Sequence, residues 1–280
     1  MTIPRRKLGS TGEEVSILGL GGEGILRTFG YDLQATRLIN HAIDLGINYL
    51  ESARAYSGSE IYYGLALAER RKDIFLTSKS HARTKKGAQD HLVETLSNMK
   101  TDYLDLWQVH DVRTEEDIAA IFGPEGAIEA FVEAKKKGMV RFIGVTGHQD
   151  PEILIKCFEL FNFDTVLIPV NSAEHFYNSF IDSVIPTAVE KNMGIIGMKV
   201  YFRGIANQLP WYQSMRPFLY YALSKPVSAV VIGCDNIKQL EENVAFASEF
   251  RPLGAEEMAL LEEKTRRFAR SLMYYKPVVS

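Results

Sequence analysis

The sequence predicts an α/β protein in which eight strand–helix units close into a (β/α)8 TIM barrel, with an N-terminal β-hairpin and an extra C-terminal helix. Two observations predict this fold. Short apolar runs alternate with segments whose apolar residues recur every three or four positions, and no linker divides the 280 residues. Since such barrels commonly run to about 250 residues as one unit, we expect a single domain over 1–280. A doubly wound open sheet is the structural alternative.

The elements follow one another in a regular order. Arg6-Lys7-Leu8 and Val15-Ser16-Ile17 flank the turn Ser10-Thr11-Gly12 and predict the hairpin. The barrel strands are predicted at 17–21, 47–52, 74–79, 104–110, 140–146, 165–169, 194–200 and 229–233. The helices are predicted at 36–45, 88–99, 127–137, 151–160, 180–191, 215–223 and 238–247, with the extra helix at 255–270.

Composition and charge limit the class of protein. The net charge is −3 and no dense Lys/Arg block is present, so nucleic acid is a poor partner. The only two cysteines, Cys157 and Cys234, lie in apolar stretches without metal-ligand spacing and are interpreted as reduced. Residues 1–10 have no apolar run behind them, and no stretch reaches the roughly 20 apolar residues of a membrane span. We therefore expect a soluble, cytoplasmic protein.

The residues at the predicted strand ends indicate the chemistry, because barrel enzymes place their catalytic groups there. Glu51, Lys79 and His110 end strands two, three and four, and Tyr56 lies in the loop after Glu51. A phenol, with a pKa near ~10, is a sluggish acid at neutral pH, but a nearby ammonium lowers that pKa and a carboxylate holds the ammonium in place. A neutral histidine can donate a hydrogen bond to a substrate oxygen. Together these groups predict protonation of a carbonyl oxygen while hydride reaches its carbon.

These residues and their spacing resemble the aldo-keto reductase family along nearly the whole chain. The motifs that carry the resemblance are Gly46-Ile47-Asn48-Tyr49-Leu50-Glu51-Ser52-Ala53 with Tyr56 and Ser59-Glu60, Phe75-Leu76-Thr77-Ser78-Lys79, Asp102-Tyr103-Leu104-Asp105-Leu106-Trp107-Gln108-Val109-His110, and Ile232-Gly233-Cys234 with Gln239-Leu240-Glu241-Glu242-Asn243. Two further motifs, Gly144-Val145-Thr146-Gly147-His148 and Met198-Lys199, are similar to a subgroup often found in microbes.

The resemblance implies NAD(P)H-dependent reduction of an aldehyde or ketone, with Tyr56 as general acid, Lys79 and Glu51 tuning it, and His110 orienting the carbonyl. It implies NADPH or NADH bound extended across the barrel mouth, with NADPH favoured on family grounds, and neither a metal nor an iron–sulfur cluster. The implied cofactor-binding residues are Thr146, Asn171, Lys199, Gly233, Gln239, Glu242 and Asn243. His148 and Trp211 are candidates for the substrate pocket.

Several positions depart from the family pattern. Glu51 stands where the family has aspartate, and we expect it still to pair with Lys79. The other departures are Thr146-Gly147 for the serine–asparagine pair, Leu167 for a glutamine, Met198 for the tyrosine that stacks on nicotinamide, and Gly233 and Gln239 for the lysine and arginine that hold the 2′-phosphate. The last two leave the choice between NADPH and NADH open, with Lys199 or Arg203 as substitute cations.

Other functions are compatible with parts of the pattern. The departures around the nicotinamide favour, as one alternative, a weakly active nicotinamide-binding sensor or interaction protein. A metal-dependent barrel hydrolase is another, with His110, His148 and His175 as ligands. The segment from Gly19 to Gly24 fits G-x-G-x-x-G, but a lone match is weak and we interpret it as the first barrel loop. The aromatic content of loops 23–31, 81–86, 111–126 and 201–211 and of the tail 271–280 indicates an apolar or aromatic carbonyl substrate, and the oligomeric state is open.

Overall fold

The computed structural model describes residues 2–277. The barrel strands are β3 (Leu18–Gly24), β4 (Tyr49–Glu51), β5 (Phe75–Ser80), β6 (Leu104–Val109), β7 (Val140–Thr146), β8 (Thr165–Pro169), β9 (Gly194–Met198) and β10 (Ala229–Cys234). They form a closed parallel barrel in the order β10-β3-β4-β5-β6-β7-β8-β9. The predicted barrel is therefore confirmed, and the open sheet is excluded.

An antiparallel hairpin closes the N-terminal end of the barrel. It consists of β1 (Arg5–Lys7) and β2 (Glu14–Ser16). Leu8 and Val15 from the hairpin are fully buried in one apolar cluster with residues from inside the barrel. A Cβ on Gly9, which has φ +54°, would lie 2.2 Å from the amide nitrogen of Gly194, so only glycine fits this close approach. This seal leaves the opposite end of the barrel open for a site.

The helices surround the barrel. They are α1 (Asp32–Asp44), α2 (Ser59–Ala66), α3 (Lys85–Met99), α4 (Glu115–Phe122), α5 (Ala127–Lys136), α6 (Pro151–Leu160), α7 (Phe180–Glu190), α8 (Arg216–Leu223), α9 (Ile237–Ser248), α10 (Ala255–Arg266) and α11 (Ala269–Leu272). Seven match the predicted helices between and after the strands, and α10 and α11 divide the predicted 255–270. No helix within residues 2–277 is long and apolar enough to cross a membrane.

Two helices were not predicted. Most of α2 is buried, including the carboxylate of Glu60, so it lacks the polar face that gives a helix its apolar period. Glu60 is stabilised by hydrogen bonds from Ser78 and Thr95, each at 2.7 Å. The other helix, α4, is short and begins with an acidic turn that the sequence analysis placed in loop 111–126. Its start is fixed by Thr114, whose hydroxyl accepts from the helix's first turn.

Candidate active site

Four side chains predicted to carry the chemistry come together at the open mouth of the barrel. Glu51 ends β4, Lys79 lies in β5, His110 directly follows β6, and Tyr56 lies in the loop between β4 and α2. The Lys79 Nζ atom is 4.6 Å from the centre of the Tyr56 ring. The rings of Tyr56 and His110 lie edge to face, with centres 6.0 Å apart and planes at 86°. Because β4, β5 and β6 are adjacent and parallel, side chains that are far apart in the sequence lie together at one end of the barrel.

A buried ion pair lies beneath Tyr56. The Lys79 ammonium contacts the Glu51 carboxylate, and the two side chains are only 1% and 4% exposed. Lys79 also donates to the carbonyl of Ser52 at 2.8 Å, and the amide of Gly22 donates to Glu51 Oε2 at 3.0 Å. A Cβ on Gly22 would lie 2.9 Å from the Glu51 carbonyl oxygen, which explains a glycine at this close approach. The expected pairing is present, and it accommodates the longer side chain of glutamate.

The pKa of Tyr56 differs from the expectation drawn from sequence. Burial raises the pKa of Tyr56 above its ordinary value, and the charge of Glu23 raises it further, while Arg27 lowers it. Burial likewise lowers the pKa of Lys79 well below its usual range, whereas Glu23 acts in the opposite direction. The ammonium of Lys79 is evident from the sequence, whereas the desolvation of the Tyr56 phenolate arises only in the folded molecule. The phenol is therefore protonated at neutral pH.

His110 is held neutral by its surroundings. Burial lowers the pKa of His110 well below 6.5, and the neighbouring charge of Lys79 lowers it further. Its Nδ1 atom is buried and has no hydrogen-bond partner within residues 2–277. A neutral imidazole keeps one N–H donor and one acceptor, so His110 has the form that can hydrogen-bond a carbonyl oxygen.

A cleft of about 580 Å³ opens beside Tyr56. Seven of the predicted site residues line it: Glu51, Tyr56, Lys199, Gly233, Gln239, Glu242 and Asn243. Leu167 and Met198, which replace polar and aromatic residues of the family, line it as well. Among its lining residues, Glu23 and Arg27 fall in loop 23–31, which was assigned to the substrate without naming either residue, and Asp235 was missed. For Glu23 and Arg27 the detectable signal was a carboxylate four residues before an arginine, at the end of the first barrel strand.

The cleft residues fit a nicotinamide dinucleotide. The volume lies in the range of small-molecule sites, and three cations, Arg27, Lys199 and Arg203, line the cavity. The Lys199 ammonium makes no ion pair or hydrogen bond with any residue in the described part of the chain. Gly24, the last glycine of the G-x-G-x-x-G match, has φ +67° and would place a Cβ 2.5 Å from the Cys234 carbonyl oxygen. The glycine-rich match is thus explained by the packing of β3 against β10 at the edge of the cleft.

Thr146 and Asn171 are engaged in internal hydrogen bonds. The Thr146 hydroxyl oxygen accepts from the amide of Asp111 at 2.8 Å. The Asn171 amide donates to the Tyr275 hydroxyl at 2.9 Å, and its carbonyl oxygen accepts from the amide of Ala173 at 3.1 Å. Neither residue lines the cleft. Their role in cofactor binding stays a prediction.

The two candidates for the substrate pocket lie in different places. His148 Nδ1 is 3.2 Å from Asp111 Oδ1, and its ring lies 6.2 Å from that of Tyr275, near the barrel mouth. Trp211 is stacked on Phe218 in a second cavity of about 640 Å³ between α8 and α10. The structure therefore places Trp211 outside the Tyr56 cleft, because the chain turns between Trp211 and its neighbour Tyr212, which does line the cleft.

The C-terminal tail is anchored by a buried carboxylate. Glu174 pairs with Lys276, and both side chains are at most 1% exposed. The Tyr275 hydroxyl donates to Glu174 at 2.8 Å and accepts from Asn171, as described above. This network holds the tail beside His148. Of the predicted tail 271–280, residues 278–280 lie outside the described part of the chain.

The histidines proposed as metal ligands have separate partners. His175 Nδ1 lies 2.7 Å from Asp182, and its Nε2 lies 3.4 Å from Glu262. His110 faces Tyr56, and His148 lies against Asp111. Within residues 2–277 no group of three or more His, Cys, Asp or Glu side chains is arranged to hold a metal ion.

Comparison with known proteins decides the family. The model of the aldo/keto reductase family matches residues 18–209. The chain belongs to the aldo/keto reductase family. It is accordingly an oxidoreductase that uses a nicotinamide cofactor to reduce carbonyl compounds.

This aldo/keto reductase has relatives that cover nearly its whole length. It is 25% identical to the uncharacterized oxidoreductase YqkF of Bacillus subtilis, over 94% of this chain and 97% of that protein. It is 26% identical to L-galactose dehydrogenase of Arabidopsis thaliana, over 93% of each chain. Among solved structures, the holo form of aldo-keto reductase AKR11C1 from Bacillus halodurans matches with a TM-score of 0.78 at 25% identity, over 94% of this chain and 96% of that one. Membership of the microbial subgroup that the Thr146-Gly147-His148 motif suggests stays a prediction.

Proposed function

We propose that this chain, as one domain over 1–280, reduces an aldehyde or ketone to an alcohol with Tyr56 as the proton donor. The observation that carries the proposal is the position of Tyr56. Its ring lies close to the Lys79 ammonium of the buried Lys79–Glu51 ion pair and to the neutral His110, and it lines the cleft. In the family such a cleft takes a nicotinamide cofactor.

The cofactor would supply the hydride, and residues of the cleft would bind the cofactor. A bound reduced nicotinamide, NADPH or NADH, supplies the hydride. Lys199, Arg27 and Arg203 carry the charge that would hold its diphosphate, because they are the cations among the cleft residues. Gly233, Gln239, Glu242 and Asn243 also line the cleft and would contact the rest of the dinucleotide.

In the proposed reaction, one proton passes from the Tyr56 hydroxyl to the carbonyl oxygen of the substrate. Tyr56 holds that proton on its hydroxyl oxygen, since burial raises its pKa. His110 would donate a hydrogen bond to the same carbonyl oxygen and so fix its direction. As the carbon takes the hydride, the carbonyl oxygen takes the proton from Tyr56, and the phenolate left behind is stabilised by the nearby Lys79 ammonium. Glu51 keeps that ammonium charged and in place.

Two further observations support a cytoplasmic protein that acts on a small molecule. Both cysteines, Cys157 and Cys234, are buried and free, as expected in a reducing compartment such as the cytoplasm. The net charge of −3 supports a small-molecule substrate over nucleic acid as the partner.

The test is the loss of absorbance of the reduced nicotinamide. NADPH and NADH are supplied separately with a panel of aldehydes and ketones, weighted toward apolar and aromatic ones. Tyr103→Phe is a matched control, because Tyr103 lies at the opposite end of the barrel and stacks under Arg71 at 4.0 Å. Carbonyl-dependent oxidation by the wild type and the control, but not by Tyr56→Phe, supports the proposal. Tight binding of a dinucleotide without turnover on any carbonyl would favour the sensor instead.

A further inference from the structure

The second cavity, of about 640 Å³ between α8 and α10, has a volume in the range of small-molecule sites. The apolar side chains that line it include Trp211, Phe218, Leu253, Leu260 and Leu261. Trp211 is stacked on Phe218, with ring centres 5.8 Å apart, and Leu260 is 58% exposed. The cavity therefore presents apolar surface, and a ligand that removed this surface from water would be bound favourably.

The helix α10 turns one face toward this cavity. Its lining residues are Glu257, Leu260, Leu261 and Lys264, and their spacing of three, one and three positions places them on one face of the helix. The Lys264 Nζ atom lies 5.7 Å from the centre of the Trp211 ring. A positive charge therefore lies next to the apolar surface of the cavity.

The charged residues that line the cavity leave one cation without a countercharge. Arg216 pairs with Glu249 at 2.8 Å, and Arg251 pairs with Glu257 at 2.7 Å. Lys264 makes no ion pair or hydrogen bond with any residue in the part of the chain that the structure describes. The lining thus has three cations and two carboxylates, a net charge of +1, which favours an anionic occupant.

One short segment separates this cavity from the catalytic cleft. Trp211, Gln213 and Ser214 line the cavity, whereas Tyr212 and Met215 line the cleft. Within residues 2–277 the two sets of lining residues have no member in common. A ligand in the cavity would therefore lie outside the active site.

We propose that the cavity between α8 and α10 is a second ligand site, which takes a small molecule with an apolar or aromatic body and one carboxylate. The body packs against Trp211, Leu260 and Leu261, and the carboxylate pairs with the Lys264 ammonium. The largely apolar lining does not suit a polyanion, and the net charge does not suit a cation. The site is thus distinct from the carbonyl and dinucleotide cleft in both place and chemistry.

Calorimetry with three related probes tests the charge requirement. Phenylbutyrate is an anion, phenylbutyramide is its neutral analogue, and phenylbutylamine is the corresponding cation. We expect phenylbutyrate to bind at least about threefold more tightly than the amide, as one exposed ion pair allows, and the amine to bind more weakly than the amide. Equal affinity for all three, or no binding of phenylbutyrate at millimolar concentration, overturns the proposal.

Tryptophan fluorescence locates the bound probe. The chain has two tryptophans, and one of them, Trp107, is fully buried against Phe131. Phenylbutyrate should change the emission of the wild type, and this change should disappear in Trp211→Phe. A change of emission that remains in Trp211→Phe would place the probe elsewhere and overturn the proposal.

Two variants remove the features that would hold the ligand. Leu260→Glu removes an apolar contact and places a carboxylate four residues before Lys264, where it can pair with the ammonium. Lys264→Met removes the cation. Leu260→Glu should weaken phenylbutyrate binding at least about tenfold, and Lys264→Met about threefold. Circular dichroism confirms that each variant is folded, and wild-type affinity in both overturns the proposal.

Each variant has a matched control. Leu160→Glu makes the same change at a leucine that is 55% exposed at the end of α6, and Lys136→Met makes it at an exposed lysine of α5. Neither residue lines the cavity or the cleft. Both controls should bind phenylbutyrate as the wild type does, and a control that weakens binding as much as its partner variant overturns the proposal.

Sedimentation distinguishes a ligand site from an interface between two copies of the chain. We expect Leu260→Glu and Leu160→Glu to sediment as the wild type does. A wild-type dimer that dissociates in Leu260→Glu, but not in Leu160→Glu, would mean that a second copy covers the cavity, which overturns the proposal. None of these measurements uses a dinucleotide or a carbonyl, so their failure would leave the reductase function intact.

Discussion

The ammonium of Lys79 lies over the face of the Tyr56 ring, with its nitrogen 4.6 Å from the ring centre. The same ammonium is paired with Glu51 and donates to the Ser52 carbonyl. In this position it favours charge on the phenol, but burial of the hydroxyl acts in the opposite direction and raises the pKa of Tyr56. The ammonium therefore acts mainly after the proton has left, when it stabilises the phenolate.

The first prediction concerns the pH dependence of reduction. The acid form of Tyr56 is needed, and its raised pKa keeps it protonated well above neutral pH. The neutral form of His110 is needed, and its lowered pKa keeps it neutral below pH 6.5. We expect kcat/KM for reduction to be nearly constant between about pH 6 and 9. A steady fall in kcat/KM from pH 7 to 8 would show that Tyr56 titrates at a lowered pKa and contradict this prediction.

The second prediction concerns the buried ion pair. Glu51→Gln leaves a buried ammonium without its countercharge, and Lys79→Met leaves a buried carboxylate alone. Each should lower the free energy of unfolding by about 3–5 kcal/mol. The double variant should lose clearly less than the two single losses together, since it leaves no unpaired charge. Urea unfolding measures all three, and simple additivity would mean that the two groups are not paired.

The third prediction concerns His148 and acid stability. Burial lowers the pKa of His148 to about 4, although the nearby charge of Asp111 raises it. Because the folded pKa lies below the unfolded value, the unfolded chain binds more protons between about pH 6.5 and 4. The contribution of this residue is full above that window and is lost as the pH falls through it, by up to about 3 kcal/mol.

This contribution can be isolated by substitution. His148→Gln should lose less stability between pH 7 and about 4.5 than the wild type does, when unfolding by urea is compared at the two values. The control is His41→Gln at an exposed position paired with Glu241. An NMR titration of the His148 ring with a midpoint near 6.5 would refute the prediction.

The fourth prediction concerns the tail. Tyr275→Phe removes a hydroxyl that donates to Glu174 and accepts from Asn171, both of which are buried. Leaving them without this partner should cost about 1–3 kcal/mol of stability. Tyr274→Phe is the matched control, because Tyr274 is 40% exposed. Thermal unfolding of both variants is the measurement, and equal midpoints for the two would mean that the tail network contributes nothing.

The sequence predicted the barrel well because its signal is local and repeated. Each strand is a short apolar run, and each amphipathic helix carries a clear period. The helix α2 lacked that signal, because its polar residue Glu60 is buried against donors from distant segments. The same reason limits prediction of the site. Strand ends indicated Glu51, Lys79 and His110, whereas the position of Trp211 in a second cavity depends on a turn in an irregular loop.

The ion pairs, long-range hydrogen bonds and pKa shifts of the site could not be predicted from the sequence either. The pairing of Arg27 and Arg203 with Glu23 joins residues from the first and seventh strand–helix loops. The engagement of Asn171 by Tyr275 joins residues more than a hundred positions apart. The raised pKa of Tyr56 follows from its burial, which is a property of the folded molecule.

The central claim is that Tyr56 donates the proton and does not bind the cofactor. Single-turnover oxidation of pre-bound reduced nicotinamide, on mixing with a carbonyl found active in the panel, tests it most directly, together with the dinucleotide dissociation constant of each protein. We predict that Tyr56→Phe binds the dinucleotide as the wild type does, within about twofold, and that its single-turnover rate falls by about 10³-fold. A Tyr56→Phe protein with the wild-type single-turnover rate would contradict the claim.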